Sequence, residues 1–208
     1  MKKISKKAKR TFIIFLVIVL LALVGLLVYS FTKSFEKPIK KVEKLDEMKE
    51  YGYYLEDDAT ELYKKLYNEL KEVLNKKEID EEKYASLVAQ LCVSDYYNLD
   101  NKMSKDDIGC TQFILDDYKE NFCLESSDTV YKYVEQNVYG DRKQKLPIVK
   151  DIEVVSNEKI SYNYGSINDN EAYDVKVKVT YKENLGYPEE VEIKLVHSDK
   201  KLDIIYMY

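Results

Sequence analysis

Residues 11–31 form an unbroken apolar run, and Lys2, Lys3, Lys6, Lys7, Lys9 and Arg10 stand immediately before it. No acidic residue occurs before Glu36. Within the run only Thr11, Tyr29 and Ser30 carry polar side-chain atoms, and all three lie near its ends. A helix of about 21 residues is roughly 30 Å long, the thickness of a bilayer's hydrocarbon core. Such a helix satisfies its backbone polar groups internally, as a bilayer requires. The pattern predicts a transmembrane helix over 11–31, behind a basic tail over 1–10.

The flanking charges set a direction. The tail carries only positive charge, whereas 33–50 sets six lysines against five acidic residues. Lysine and arginine near a membrane favour the cytoplasmic side. The expectation is a cytoplasmic N-terminus and an extracytoplasmic C-terminal domain, single-pass in a bacterial plasma membrane. A cleaved signal peptide is the rival reading. Its apolar region runs to about 7–15 residues before a small-x-small site; this run is longer, and Val28-Tyr29-Ser30 is a weak site. No cysteine precedes Cys92, so a lipidated N-terminal cysteine is excluded.

Charge narrows the partners. The chain has 33 basic and 38 acidic residues; without the six bases of its first ten residues, 27 face 38, a net of −11. A domain this acidic repels phosphate backbones, so no nucleic acid is expected as a partner. Arg142-Lys143-Gln144-Lys145 is a local basic exception. The chain contains 20 tyrosines and no tryptophan. Tyrosine gives contact area at low entropy cost, so a Tyr-rich binding face competes with a simple compositional bias.

Past the run, 32–54 reads as a juxtamembrane stalk, with Val42, Leu45 and Met48 at helical spacing and Gly52 as a breaker. The rest, 55–208, suits one domain. Apolar stripes predict helices over 57–75, 80–97, 104–122 and 127–139. Asp80 is the expected N-cap of the second, Ser104 with Asp107 the capping pair of the third, and Gly140 the stop of the fourth. After Pro147 the period becomes two. Ile148 to Tyr164, Tyr173 to Tyr181, Val191 to Leu195, and Leu202 to Tyr208 read as four strands of an antiparallel meander. The fold class is α+β: a transmembrane helix, then about four helices on a curved four-stranded antiparallel sheet.

This order of elements resembles the cone-shaped α+β fold of nuclear transport factor-two-like domains. With its anchor, the chain resembles the inner-membrane scaffold subunits of type IV secretion and conjugation machines. The resemblance implies a scaffold or protein-interaction domain in a cell envelope, partnered by other envelope proteins or by itself. It is one of architecture and carries over no functional residue. The alternative it leaves open is a small-ligand sensor or carrier with an apolar pocket inside the cone.

Chemistry is sparse. His197 is the only histidine, which removes His-rich zinc sites and histidine-paired catalysis elsewhere. It falls at an expected hairpin turn. No phosphate loop or nucleophile elbow occurs, no loop has calcium-ligand spacing, and no cofactor or metal is expected. Asp95 and Asp100 flank Tyr96 and Tyr97, and an acid beside a tyrosine can move protons, although Asp at a helix end more commonly caps. The interaction or pocket residues are therefore Asp95, Tyr96, Tyr97 and Asp100, with Tyr131, Tyr162, Tyr173 and Tyr181. An extracytoplasmic domain can oxidise cysteines. Cys92 can pair with Cys110 or with Cys123, whereas a continuous third helix would keep Cys110 and Cys123 about 20 Å apart.

Overall fold

The computed structural model describes residues 6–35, 42–165 and 167–208; within the first helix it describes the side chains of 12 and 15–29. Two compact units divide the chain, Met1–Lys40 and Lys41–Tyr208.

The first unit is one helix, α1, Lys6–Phe35. Every described apolar side chain from Phe15 to Tyr29 is at least partly open, from 40% exposed at Val19 to 68% at Leu27. Among the described residues no helix is long and apolar enough to cross a membrane. The described side chains of 15–29 account for about 22 Å of rise, and the rest of the expected 11–31 span lies outside them.

The second unit opens with a hairpin, not a helical stalk. β1 (Lys44–Met48) pairs antiparallel with β2 (Tyr53–Glu56). The three-residue spacing of Val42, Leu45 and Met48 is too short a signal to separate the two outcomes. Gly52, at φ +71, supplies the left-handed turn instead of a simple break. Tyr53 pins the hairpin to the core: its hydroxyl lies 2.7 Å from that of Tyr84 and donates to Leu202 O at 3.2 Å.

α2 spans Glu61–Leu74 and starts at Thr60, whose hydroxyl accepts from the Tyr63 N–H. α3 spans Glu81–Tyr96, and Asp80 caps it by accepting from the Lys83 N–H. Leu66, Leu70 and Val73 of α2 and Val88, Ala89 and Leu91 of α3 are buried in one core. A single 3-10 turn, Leu99–Asn101, follows. Residues 104–115 then form turns, and the last helix, α4, is Asp116–Asp128. In place of the third and fourth expected helices there is one shorter helix, overlapping the end of the former and the start of the latter, and 129–140 is irregular.

Four strands form an antiparallel meander, β3 (Val149–Tyr164), β4 (Ile167–Tyr181), β5 (Glu190–Ser198) and β6 (Lys201–Met207). The period-two reading matches this sheet. Val175, Val177, Val179, Val191, Ile193 and Leu195 are buried against the helices. On the other face Lys194 lies 2.6 Å from both Asp174 and Glu192, and Lys176 lies 3.3 Å from Glu192. The register of β3 on β4 shifts at Val154/Ser156 and Ile160/Tyr162, and each shift bends the pair. The described residues are α+β: beside α1 in the first unit, the second unit has three α-helices, where about four were expected, with the two-stranded hairpin and a four-stranded antiparallel sheet.

Candidate functional site

The segment from Ser94 to Gln112 gathers most of the buried polar chemistry. α3 ends at Tyr96, with Tyr97 as its C-cap donating to Val93 O. Asn98 accepts the Val149 N–H at 3.0 Å and donates to Asn101 at 3.1 Å. This ties the end of α3 to the start of β3. Lys102 then returns towards α3, and its ammonium pairs with Asp95 Oδ1 while only 8% of its side chain is exposed. Asp95 Oδ2 accepts the Cys110 N–H at 2.7 Å. One carboxylate therefore holds both ends of the 102–110 loop.

Two features explain why 104–115 is not helical. Cys110 sits at φ +70, which a helix cannot accommodate, and a Cys92–Cys110 disulfide fixes it on α3 with Cα atoms 4.4 Å apart. Gly109 lies so close to α3 that a Cβ there would stand 2.5 Å from the Asp95 carbonyl oxygen. The expected Ser104–Asp107 capping pair is not made: Ser104 Oγ accepts from Asp106 N–H at 3.2 Å and Asp107 from Met103 N–H at 2.7 Å. They close a turn without nucleating a helix. The Gly109 N–H donates to Tyr131 Oη at 3.1 Å, and Tyr131 donates onward to Tyr96 O at 2.7 Å. The Arg142 guanidinium closes the outside by donating to the carbonyls of Leu99, Asp100, Lys102 and Glu135. The local basic stretch is thus largely engaged within the fold, because Gln144 bonds Glu135 N–H and Tyr133 O and Lys145 pairs with Glu183.

Between this loop, β2 and the start of α2 lies a cavity of about 290 Å³, whose walls include Tyr54, Glu56, Asp58, Tyr63, Asp95, Lys102, Asp107 and Gln112. Gln112 behaves like a neighbouring strand: it accepts from Tyr54 N–H at 2.7 Å and donates to Tyr54 O at 3.2 Å and to Tyr63 Oη at 2.8 Å. Burial works to lower the Lys102 ammonium, but the adjacent Asp95, reinforced by Asp107 and Glu56, holds it above the usual lysine range. Burial, with Asp95 and Asp58 nearby, raises the Glu56 carboxyl. Carboxylates outnumber the one lysine, so the hollow favours a cationic guest. The Cys123 thiol also borders it, and burial raises that thiol, which keeps it protonated and weakly nucleophilic. Among the described residues no group of His, Cys, Asp and Glu is arranged to hold a metal ion.

The residues singled out from the sequence do not converge. Asp95 faces this cavity. Tyr96 and Tyr97 instead border a separate groove of about 470 Å³ beside α4, with Phe122, Val130 and Met207. Asp100 is exposed, and its carbonyl serves Arg142. Tyr131 and Tyr173 are core residues, Tyr173 donating to Glu81 at 3.3 Å. Tyr181 packs on Tyr187 and donates to Pro188 O. Tyr162 sits on the far part of the β3–β4 hairpin.

His197 lies within β5, one residue before the turn. Its N–H and Nδ1 meet Asp169 Oδ2 at 2.7 and 2.9 Å, tying the end of β5 to the start of β4 near the tip of the β3–β4 hairpin. Sequence reasoning missed Lys102, Gly109 and Gln112. The one usable signal was Gly109 beside Cys110 inside an apparent helix. Comparison with family models, curated proteins and solved structures finds no match to this chain.

Proposed function

We propose that this chain is a single-pass membrane protein of a bacterial envelope whose α1 is the anchor, and that its second unit is a non-enzymatic interaction or scaffold domain held outside the cytoplasm. The observation that carries this reading is the open apolar surface of α1 from Phe15 to Tyr29, next to a purely basic tail. A continuous apolar surface of that kind needs a lipid or protein environment, and the charge asymmetry favours a cytoplasmic tail. The order of helices and strands supports a likeness to type IV secretion and conjugation scaffolds, with the β1–β2 hairpin as a departure from it.

An enzyme has less support. Asp95, the best placed acid, is committed to Lys102 and to a backbone N–H. The small-ligand alternative has two candidate places, the largely apolar groove beside α4 bordered by Tyr96, Tyr97, Phe122 and Met207, and the acidic cavity, which suits a cationic ligand.

Alkaline carbonate extraction and protease treatment of intact spheroplasts test the anchor. The expected outcome is retention in the membrane pellet and digestion of a C-terminal tag from outside. Release by carbonate, or a tag protected until lysis, would overturn it. In vivo crosslinking followed by pull-down tests the interaction role, with a reproducible protein partner expected.

A further inference from the structure

The far end of the β3–β4 hairpin is the part of the described sheet with least cover. β5 pairs with β4 only from Tyr173 to Lys178, whereas β3 and β4 continue together through Ile160↔Ala172 to Tyr164↔Ile167. The two strands therefore continue past the β5 ladder as an arm, tied back to β5 through Asp169 and His197. Other edges are occupied. Phe113 and Leu115 hydrogen-bond the outer edge of β6 at Ile204, at 2.7 and 3.0 Å. Early in β3, Asn98 accepts the Val149 N–H and Gln90 donates to Ile152 O at 2.8 Å. Among the described residues no other element hydrogen-bonds the outer edge of β3 from Ile160 to Tyr164.

A register shift at Ile160/Tyr162 bends this edge, but no charge or proline blocks it. Natural edge strands carry lysine, proline or inward charges that block pairing with another chain. Here Ile160, Ser161, Tyr162, Asn163 and Tyr164 are all uncharged, in a chain with 33 basic and 38 acidic residues. Tyr, Ser and Asn are the residue types of recognition surfaces. Asn163 and Tyr164 are exposed.

We propose that this edge pairs antiparallel with the same edge of a second copy, joining two sheets through the arms. This rests on the membrane reading for its concentration but not for its geometry. Two acidic domains repel each other except where their surfaces are neutral, and the arm edge is such a place. Antiparallel pairing of this segment with itself about Tyr162 sets Tyr162 opposite Tyr162, Ser161 opposite Asn163 and Ile160 opposite Tyr164, with no like charges face to face. About five residues make a strand of ordinary length. Anchoring both copies in one bilayer raises their effective concentration, which supports an otherwise short contact.

The test uses the full chain in its membranes, with Cys123→Ser and the native disulfide retained. Single cysteines replace Tyr162, Asn163 or Tyr164, with Lys178→Cys and Glu190→Cys as controls on the solvent face of the same sheet. On mild oxidation the arm cysteines are expected to give on the order of tenfold more covalent dimer than the controls. Adding Tyr162→Lys and Tyr164→Lys to the Asn163→Cys chain is expected to abolish that dimer with an unchanged thermal melt. Equal crosslinking of arm and control positions, or a dimer that survives the lysines, would overturn the proposal. An arm that crosslinks only to a different protein also overturns self-pairing while leaving the interaction-domain reading intact. Carbonate-released chain that still dimerises through the arm leaves the pairing standing and removes the anchor.

Discussion

Lys102 and Asp95 form a nearly enclosed ion pair that joins the last turn of α3 to the loop it must hold, with 8% of the lysine side chain and 24% of the aspartate exposed. The pair is a fold determinant as much as a cavity wall, because the same carboxylate accepts the Cys110 N–H. Removing one partner of such a pair leaves the other charge without compensation. Lys102→Met is expected to cost about 3 kcal/mol, measured by urea unfolding. Asp95→Asn, which keeps an acceptor for Cys110, is expected to cost less than Asp95→Ala. A Lys102→Met midpoint equal to that of the native chain would show that the pair contributes nothing.

Gly109→Ala is expected to destabilise by about 2–4 kcal/mol. The reason is the 2.5 Å approach of the new Cβ to a main-chain carbonyl, which no side-chain rotation relieves. Gly140→Ala provides the comparison: its added Cβ meets nothing within 4 Å, and its cost comes from φ +69 alone. Thermal melts of the two variants give the ordering.

The disulfide closes a loop with a sequence separation of 18. Its removal by Cys92→Ala with Cys110→Ala is expected to cost about 3 kcal/mol, through the freedom regained by the unfolded chain. Cys123→Ser is expected to have little effect. Alkylation of the unfolded chain without reductant, read by mass, should label one thiol; labelling of three would rule the bridge out.

Alkaline pH should unfold the domain through its tyrosines. Burial pushes Tyr84 and Tyr97 up to about 12, while an unfolded tyrosine ionises near about 10. A raised folded value leaves stability intact below pH ~10 and removes it as pH rises towards 12, because only the unfolded state loses its protons there. Tyrosinate absorbance at a wavelength of phenolate absorption and circular dichroism are expected to change together. In addition, Tyr84→Phe strands the buried Leu202 N–H, which now donates to Tyr84 Oη at 3.1 Å, at a cost of about 1–3 kcal/mol.

Much of the architecture was legible along the chain. The alternation of Tyr173, Val175, Val177 and Val179 has one physical solution, a strand with one wet face, and the sheet follows it. Asp80 before an apolar stripe marked α3 to within a residue. The region from Ser104 to Tyr139 was misread because its apolar residues fall at helical spacing while its conformation answers to distant partners. Cys110 is held by Asp95 and Cys92, and Gln112 by Tyr54 and Tyr63. Local pattern carries no information about such contacts.

The same division applies to the candidate site and to the chain as a whole. Sequence by itself determined the elements whose burial repeats at short range: α3, the meander, and the long apolar stretch of α1 behind its cationic tail. These depend on hydrophobic period and on charge, which are properties of neighbouring residues. Tertiary structure alone decided that the tyrosines separate into core, groove and arm, that Lys102 turns inward, and that Gly109 must lack a side chain. Each of these depends on the free energy of a contact between residues far apart in sequence, where desolvation of a charge or an overlap of atoms outweighs any local preference.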